Sequence, residues 1–191
     1  MLDKLLRAGL DFFVGEYSAV PRHKDLRIEP LGRLHLSFFC RAAHPLAAPR
    51  AVGLDELSGY RLASVPIPDA VLKNLVDRLP GGADAMPKRS LQCGSLPILC
   101  DYVLGSDAVL LGTARPFRVE LEQGLLVPLR VREFDGIEAG AVVSADLGLV
   151  SLAGRTPTPA GQLLMNMIRE QTRTALGPTA RRTKPRQRAR R

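Results

Sequence analysis

The stretch CGSLPILCDYVLGSDAVLL, residues 93–111, decides the fold class of this chain. Its first half predicts a helix that begins near Ser95, accommodates Pro97 in its first turn and stops before Gly105. The apolar run 108–111 then predicts a fully buried strand. A helix that leads into a buried strand is typical of α/β proteins, so we predict this class.

The sequence on both sides of this stretch repeats the alternation of strands and helices. Apolar residues at helical spacing over 71–79 predict a helix that Pro80 terminates, and Thr158 followed by Pro159 predicts the start of another. A helix is also expected at the N-terminal end, closed by Gly9 in the left-handed conformation. The apolar runs that predict further strands are 11–14, 34–38, 61–65, 125–127, 141–143 and 147–152.

Length and composition indicate one soluble globular domain. The chain has 191 residues, of which 46% are hydrophobic, and a chain of this size can bury a single core. Charged residues at positions 3, 4, 7 and 11 interrupt the apolar N-terminal stretch, so neither a signal peptide nor a membrane span is expected. The three cysteines, Cys40, Cys93 and Cys100, lack the number and spacing of a disulfide framework or a zinc site. A cytoplasmic protein is therefore predicted.

The net charge of +8 is carried by the C-terminal segment. Eight of the 27 Lys and Arg residues lie in 173–191, which contains no acidic residue, so 1–172 contain 19 residues of each sign. The segment after residue 177 lacks the apolar side chains that would offset the entropy cost of ordering, which predicts a disordered tail. Contact with polyanions and simple solubilisation both remain open as roles for this tail. Its possible polyanion contacts are Arg181, Arg182, Lys184, Arg186, Arg188, Arg190 and Arg191.

A search for catalytic chemistry finds no arrangement of residues that a reaction would need. His23, His35 and His44 fall on a predicted loop, strand and turn without partners at metal-ligand spacing, so no metal site is predicted. The sequence contains neither a G-x-S-x-G nucleophile elbow nor the glycine-rich loops that bind dinucleotides and nucleoside triphosphates. Cys93 is interpreted as a small buried side chain rather than an activated thiol. We therefore predict a protein that is not an enzyme and has no cofactor.

The dipeptide Gly94-Ser95 is the best remaining candidate for a binding site. A Gly and a Ser at a helix N-terminus present backbone N–H donors and a hydroxyl where the helix dipole favours negative charge. The competing interpretation is an ordinary N-cap, in which the Ser hydroxyl accepts a hydrogen bond from the first turn. On these residues alone the ordinary N-cap is favoured.

Five short motifs occur in a fixed order along the chain. They are LLRAGLDF at 5–12, AHPLA at 43–47, LDELSG at 54–59, VLGSDAVLL at 103–111 and GRTPTPA at 154–160. In this order the motifs resemble the effector-binding domain of the bacterial LysR-type transcriptional regulators. The function that this resemblance implies is the sensing of a small-molecule effector.

The resemblance also implies a two-lobe, type 2 periplasmic-binding-protein-like fold. The first lobe would comprise 1–38 and 147–172, and the second lobe would comprise 39–146, ahead of the tail 173–191. A small effector would lie in the cleft between the lobes, where strands end and helices begin. The cleft positions implied are Gly15, Glu16, Pro66, Ile67, Gly94 and Ser95.

Departures from the family pattern narrow the expected function. The first residue falls within what resembles a helix of the first lobe, so an incomplete first lobe and no winged helix-turn-helix are expected. Sequence-specific DNA binding by this chain alone is not expected, and a homo-oligomer would lack part of the family's dimer surface. Asp107 and Thr113 replace a Gly and a Pro of the family, and Glu16 would repel a carboxylate effector. The alternative function is polyanion or nucleic-acid binding through the basic tail.

Overall fold

The computed structural model describes residues 2–7, 9–18, 20–21, 23–47, 50–134 and 141–176. The chain groups into two compact units. The terminal unit comprises Met1–Arg33 and Asp146–Arg191, and the central unit comprises Leu34–Ala145. The tail residues 181–191, which were predicted to contact polyanions, lie outside the described residues.

Helices and strands alternate along much of the described chain. The helices are α1 (Leu2–Leu6), α2 (Leu54–Ser58), α3 (Asp69–Val76), α4 (Leu96–Leu104), α5 (Arg118–Glu122) and α6 (Pro159–Leu176). The strands are β1 (Phe12–Glu16), β2 (Leu26–Arg41), β3 (Arg61–Ser64), β4 (Lys88–Gln92), β5 (Ala108–Gly112), β6 (Leu126–Leu129) and β7 (Val143–Leu152). None of these described helices is both long and apolar enough to cross a bilayer.

The central unit is built on strands in the order β2-β5-β3-β4, with β6 paired to β2. Strand β3 runs parallel to both β4 and β5, whereas β2 pairs antiparallel with β5 and β6. Leu62 of β3 packs in one buried cluster with Val71 of α3. The next residue, Ala63, packs in a second cluster with Leu99 of α4. Because successive side chains of a strand point to opposite faces, α3 and α4 cover opposite faces of the parallel strands.

The terminal unit has a smaller core. Strand β1 pairs antiparallel with β7 along its whole length, and β7 is also hydrogen-bonded to β2. Helix α6 packs through Met165, which forms a buried cluster with Leu31 and Leu149. Helix α6 begins where predicted, since the Thr158 hydroxyl accepts a hydrogen bond of 3.1 Å from the N–H of Gly161.

The predictions for residues 93–111 are confirmed. Helix α4 begins at Leu96 directly after Ser95, and β5 covers Ala108–Gly112. All five residues of β5 are buried, because the strand has neighbours on both sides and helices on both faces. The strand β4 and the helix α5 were not predicted, since β4 is largely exposed and α5 has no buried residue to give an apolar pattern.

One local prediction is confirmed in part and two are wrong. The strand predicted at 34–38 lies within the 16-residue β2, which begins earlier, at Leu26, and includes Pro30 at an exposed position where a strand tolerates proline. The two strands predicted at 141–143 and 147–152 are one strand, β7. Gly9 is not among the described glycines with positive φ, and its N–H donates to the Lys4 carbonyl at 2.8 Å.

Polar partners explain why β7 is continuous. Ser144 Oγ lies 3.1 Å from His35 Nδ1 within the central unit. Arg33 Nε donates to Asp146 Oδ1 at 3.0 Å within the terminal unit. In the sequence, Ser144 and Asp146 interrupt the apolar pattern of β7. Their side chains find hydrogen-bond partners on β2, so β7 continues through this polar segment.

Candidate functional site

The carboxyl ends of the parallel strands define a candidate site in the central unit. Strands β3, β4 and β5 point in the same direction, so the loops 65–68, 93–95 and 113–114 leave from one edge of the sheet. We call these three loops the carboxyl edge. The N–H of Cys93 donates to the Ser64 carbonyl at 3.2 Å, which joins the first two loops. Ligands of open α/β sheets bind outside this edge, where the connections diverge.

The loop after β3 contains the predicted residues Pro66 and Ile67. Pro66 is exposed, while Ile67 is half-buried and packs against the larger core of the unit. Pro68 is the N-cap of α3 with extended backbone, φ −57° and ψ 140°. Its carbonyl accepts hydrogen bonds from Val71 at 2.9 Å and from Leu72 at 3.0 Å. Of the two predicted residues, Pro66 is therefore the one whose side chain is accessible.

The loop after β4 places Gly94 and Ser95 in front of α4. Ser95 is the N-cap of α4, as predicted, with φ −88° and ψ 108°. Its carbonyl accepts the N–H of Leu99 at 3.1 Å, but its hydroxyl makes no capping hydrogen bond. No atom lies within 4 Å of the position that a Cβ at Gly94 would occupy. The N-cap prediction is thus confirmed for position, whereas the side-chain hydrogen bond of an ordinary N-cap is absent.

The first turn of α4 offers further donors to the carboxyl edge. The N–H groups of Leu96 and Ile98 make no hydrogen bond to any described residue, and Pro97 has no N–H. The first N–H groups of a helix have no partner within the helix and carry its positive dipole end. Two backbone donors and one hydroxyl therefore meet at this point, which suits an acceptor oxygen of a ligand.

The cysteines near this edge are structural. Cys93 is half-buried, and its Sγ lies 3.5 Å from the Ser95 carbonyl. Burial, and to a smaller extent the neighbouring Glu120, raise the pKa of the Cys100 thiol on α4 to about 11. Burial likewise raises the pKa of Cys40 to about 11. Cys40 and Cys100 are therefore protonated at neutral pH and are not activated nucleophiles.

The predicted residues Gly15 and Glu16 lie at the end of β1 in the terminal unit. They pair with Gly148 and Leu147 of β7. Glu16 is half-buried, and its Oε1 accepts the N–H of Ser18 at 2.6 Å. The carboxylate thus closes the turn after β1 and keeps its second oxygen available.

The three histidines considered in the sequence do not form a metal site in the described part of the chain. No group of three or more His, Cys, Asp or Glu residues that could hold a metal ion occurs there. His44 is buried, with 4% of its surface exposed, which its position in a turn did not predict. His44 Nδ1 accepts the N–H of Leu46 at 2.9 Å, and Nε2 lies 3.1 Å from the Asp107 carbonyl. The AHPLA motif is therefore a structural anchor.

Comparisons with known proteins agree with one another. The profile of the LysR substrate binding domain family matches residues 1–173. A curated relative, the SDS degradation transcriptional activation protein of a Pseudomonas species, is 27% identical over 172 residues. This alignment covers 88% of the present chain and 53% of the relative, so the chain spans about half the length of the curated relative that it matches.

Solved structures with a similar fold include regulatory domains of other proteins. The regulatory domain of MetR, a LysR family regulator from N. meningitidis, superposes with a TM-score of 0.68 at 19% identity, covering 92% of this chain and 79% of that one. The regulatory domain of Synechocystis CcmR in complex with 2-PG gives a TM-score of 0.65 at 17% identity, covering 90% and 77%. At these identities the similarity shows the fold, which is the type 2 periplasmic-binding-protein-like fold that was predicted. Polyanion binding through the tail gains no support from these comparisons.

Proposed function

This chain belongs to the LysR substrate-binding domain family, and from that premise we propose that it binds a small-molecule effector at the carboxyl edge of the central unit. The observation that carries the proposal is the end of β4 and the start of α4. There an uncapped Ser95 hydroxyl, the N–H groups of Leu96 and Ile98 and the open space at Gly94 occur together. The proposed role is binding without catalysis.

The chemistry of this edge favours a ligand with an acceptor oxygen. Donors at a helix N-terminus stabilise a carbonyl, carboxylate or phosphate oxygen more than an apolar group. Pro66 is exposed on the neighbouring loop and would supply an apolar contact. The CcmR regulatory domain, which shares this fold, is in complex with 2-PG, and this supports a small ligand for the present chain.

In the terminal unit we propose Gly15 and Glu16 as further effector contacts. Gly15 has no side chain to obstruct a ligand, and Glu16 retains one carboxylate oxygen as an acceptor. An acceptor at this position favours a hydroxyl or amino group of the ligand and disfavours a second negative charge. We propose that the two compact units correspond to the two lobes implied by the resemblance.

For the protein as a whole we propose the sensing part of a LysR-type transcriptional regulator. The curated relative, of which this chain covers 53%, is a transcriptional activation protein, which supports the proposal. A cytoplasmic location is proposed on the basis of three free cysteines, because thiols persist in a reducing compartment. In this family a winged helix-turn-helix domain binds DNA. We therefore propose that residues 1–173 do not bind DNA in a sequence-specific manner.

A thermal-shift screen with small metabolites, beginning with 2-PG, tests effector binding. A ligand at 100 times its Kd should stabilise the folded protein by about 2.7 kcal/mol. Ser95→Ala should then weaken binding of that ligand by about threefold to tenfold, because one hydrogen bond of about 0.5–1.5 kcal/mol is lost. Gly94→Ala should weaken binding of the same ligand by steric obstruction, while the open space around it leaves the fold intact.

Ser58→Ala is the matched control. It also removes one hydroxyl of the central unit, whose Oγ donates to the Asp55 carbonyl at 2.9 Å away from the carboxyl edge. Its affinity for the ligand should equal that of the wild type. A cooperative unfolding transition that no metabolite shifts, or Ser95→Ala and Gly94→Ala variants that bind as tightly as the wild type, would contradict the proposal.

A further inference from the structure

A cavity in the terminal unit is lined mainly by charged and polar groups. It has a volume of about 100 Å³ and lies between β2, β7, the loop that follows β7 and helix α6. Its polar lining consists of Arg27, Glu29, Ser151, Arg155, Gln162 and Arg169. Leu149 and Met165, both buried in the core of this unit, line its apolar side. The residues that line the cavity are far apart in the sequence, so the cavity could not be predicted from a sequence motif.

One carboxylate does not neutralise the positive charge of this cavity. Three arginines and a single acid, Glu29, line it, and Asp11, outside the lining, pairs with Arg155, so the group has a net charge of +1. Arg169 donates to both oxygens of Glu29, Nε to Oε1 and Nη2 to Oε2, each at 2.8 Å. This pairing lowers the pKa of Glu29, and the charges of Arg27 and Arg173 lower it further. Glu29 therefore stays ionised at neutral pH, and its charge offsets only one of the arginines.

Two of the three arginines, Arg27 and Arg169, have N–H donors that no described residue uses. A guanidinium has five N–H groups, and Arg169 uses three of them, two on Glu29 and one on Asn166 Oδ1 at 2.7 Å. The side chain of Arg27 makes no hydrogen bond or ion pair to any described residue and acts on Glu29 through its charge. Arg155 is already paired, with its Nη2 at 3.5 Å from Asp11 Oδ1, so it adds positive charge near the cavity rather than an unused partner.

We propose that this cavity binds a small oxyanion, a carboxylate or a phosphate group, through Arg27 and Arg169 with support from Arg155. Guanidinium groups bind planar carboxylates and phosphates with two parallel hydrogen bonds, and a partly enclosed site screens the charge less than open solvent does. The Ser151 hydroxyl and the Gln162 amide supply further donors to such an oxyanion. This is a second binding site, formed by residues of the terminal unit alone, and it does not depend on the carboxyl edge.

Titration of the ¹⁵N-labelled full chain followed by NMR tests the proposal. Inorganic phosphate and sodium acetate are added in separate experiments at constant ionic strength, so that the two oxyanions are distinguished. At least one of them should cause saturable shifts at the amides of Ser151, Gly154 and Arg27. Arg27→Gln should weaken this binding at least about tenfold, since it removes a charge-assisted hydrogen bond.

Two variants separate the site from general attraction of anions. Arg89→Gln on β4 removes the same charge from an exposed arginine of the central unit and should leave the affinity unchanged. Arg155→Gln is the second test of the cavity and should also weaken binding. The proposal is overturned if neither anion gives saturable shifts at these amides, or if Arg27→Gln and Arg155→Gln both bind like the wild type.

Discussion

His44 anchors two loops of the central unit with a single side chain. One ring nitrogen accepts the N–H of Leu46 and the other lies within hydrogen-bond distance of the Asp107 carbonyl, which places the proton on Nε2. Its ring lies 4.6 Å from that of Tyr60. Asp107, which replaces a family glycine, accepts a hydrogen bond of 2.7 Å from Arg41 Nη2. The two residues together hold the turn that leads into β5.

Replacement of this anchor should destabilise the fold. His44→Ala would leave the buried Leu46 N–H and the partly buried Asp107 carbonyl without their partner, at a cost of about 1–3 kcal/mol. Urea denaturation measures the change in the free energy of unfolding. His23→Ala, an exposed histidine, is the control and should change this free energy by less than about 0.5 kcal/mol. Equal effects of the two substitutions would show that His44 is not an anchor.

Glu29 makes the stability of the folded chain depend on pH. Its pKa is lowered from the ordinary value of 4.5, mainly by the hydrogen bonds from Arg169. A carboxyl with a lowered folded pKa stabilises the folded state above its unfolded pKa, and this stabilisation is lost as the pH falls through the folded value. The wild type should therefore be more stable than Glu29→Gln at neutral pH, and the difference should shrink below about pH 4.5.

The measurement is denaturant unfolding of both proteins at a series of pH values. When Arg169→Gln is also present, the change in unfolding free energy caused by Glu29→Gln should depend much less on pH. The reason is that the hydrogen bonds from Arg169 are the main cause of the lowered pKa of Glu29. If the wild type were more stable than Glu29→Gln by the same free energy at acidic and neutral pH, the result would contradict a stabilising ion pair between Glu29 and Arg169.

Helices α4 and α6 both begin after a hydroxyl residue, but the two hydroxyls have different roles. Thr158 Oγ1 accepts the N–H of Gly161 at 3.1 Å and donates to Asp11 Oδ2 at 3.1 Å. The Ser95 hydroxyl makes no such capping hydrogen bond. The same local pattern therefore stabilises one helix and leaves a donor open at the other.

This difference predicts unequal effects of removing the two hydroxyls. Thr158→Ala should lower the free energy of unfolding by about 1 kcal/mol, the usual value of an N-cap. Ser95→Ala should lower it by only a few tenths of a kcal/mol, since it removes no capping hydrogen bond. Thermal unfolding of the two variants provides the comparison. A larger loss for Ser95→Ala would mean that its hydroxyl caps α4 in solution and is not free for a ligand.

Among the residues that the structure describes, the buried core is distributed unequally between the two units. The main cluster of the central unit contains 19 buried residues, and a second cluster there contains seven. The cluster of the terminal unit contains three, Leu31, Leu149 and Met165. Because buried apolar area is the main source of stability, the smaller core stabilises the terminal unit less than the larger core stabilises the central unit.

The terminal unit should consequently open at a lower free energy than the central unit. Native-state hydrogen exchange followed by mass spectrometry should show amides of β5 exchanging at least about tenfold more slowly than those of β1, a difference of about 1.4 kcal/mol in opening. Peptides from β3, which is also parallel and internal, serve as the control and should behave like β5. Uniform protection of β1 and β5 would indicate that the two units open together.

Features that depend on near neighbours in the chain could be predicted from the amino-acid sequence. The start of α6 at Thr158 and Pro159, the extent of α4 and the burial of β5 follow from caps, proline positions and apolar runs within one or two turns. The order of five motifs was sufficient to indicate the family, which the profile over 1–173 then showed. Strand β4 could not be predicted from the sequence, because it is an exposed edge strand and has no apolar pattern.

Contacts between residues that are distant in the chain depend on tertiary packing and were not predicted. The pairing of β2 with β7 supplies partners to Ser144 and Asp146, so what appears as a break in the sequence is one strand. Arg27 and Arg169 are 142 positions apart, and they line one cavity because β2 and α6 pack in the same unit. The absence of a capping hydrogen bond at the Ser95 hydroxyl likewise could not be predicted from the local sequence. Local patterns record what each residue prefers, whereas charge balance, cavities and unused donors depend on which elements pack together.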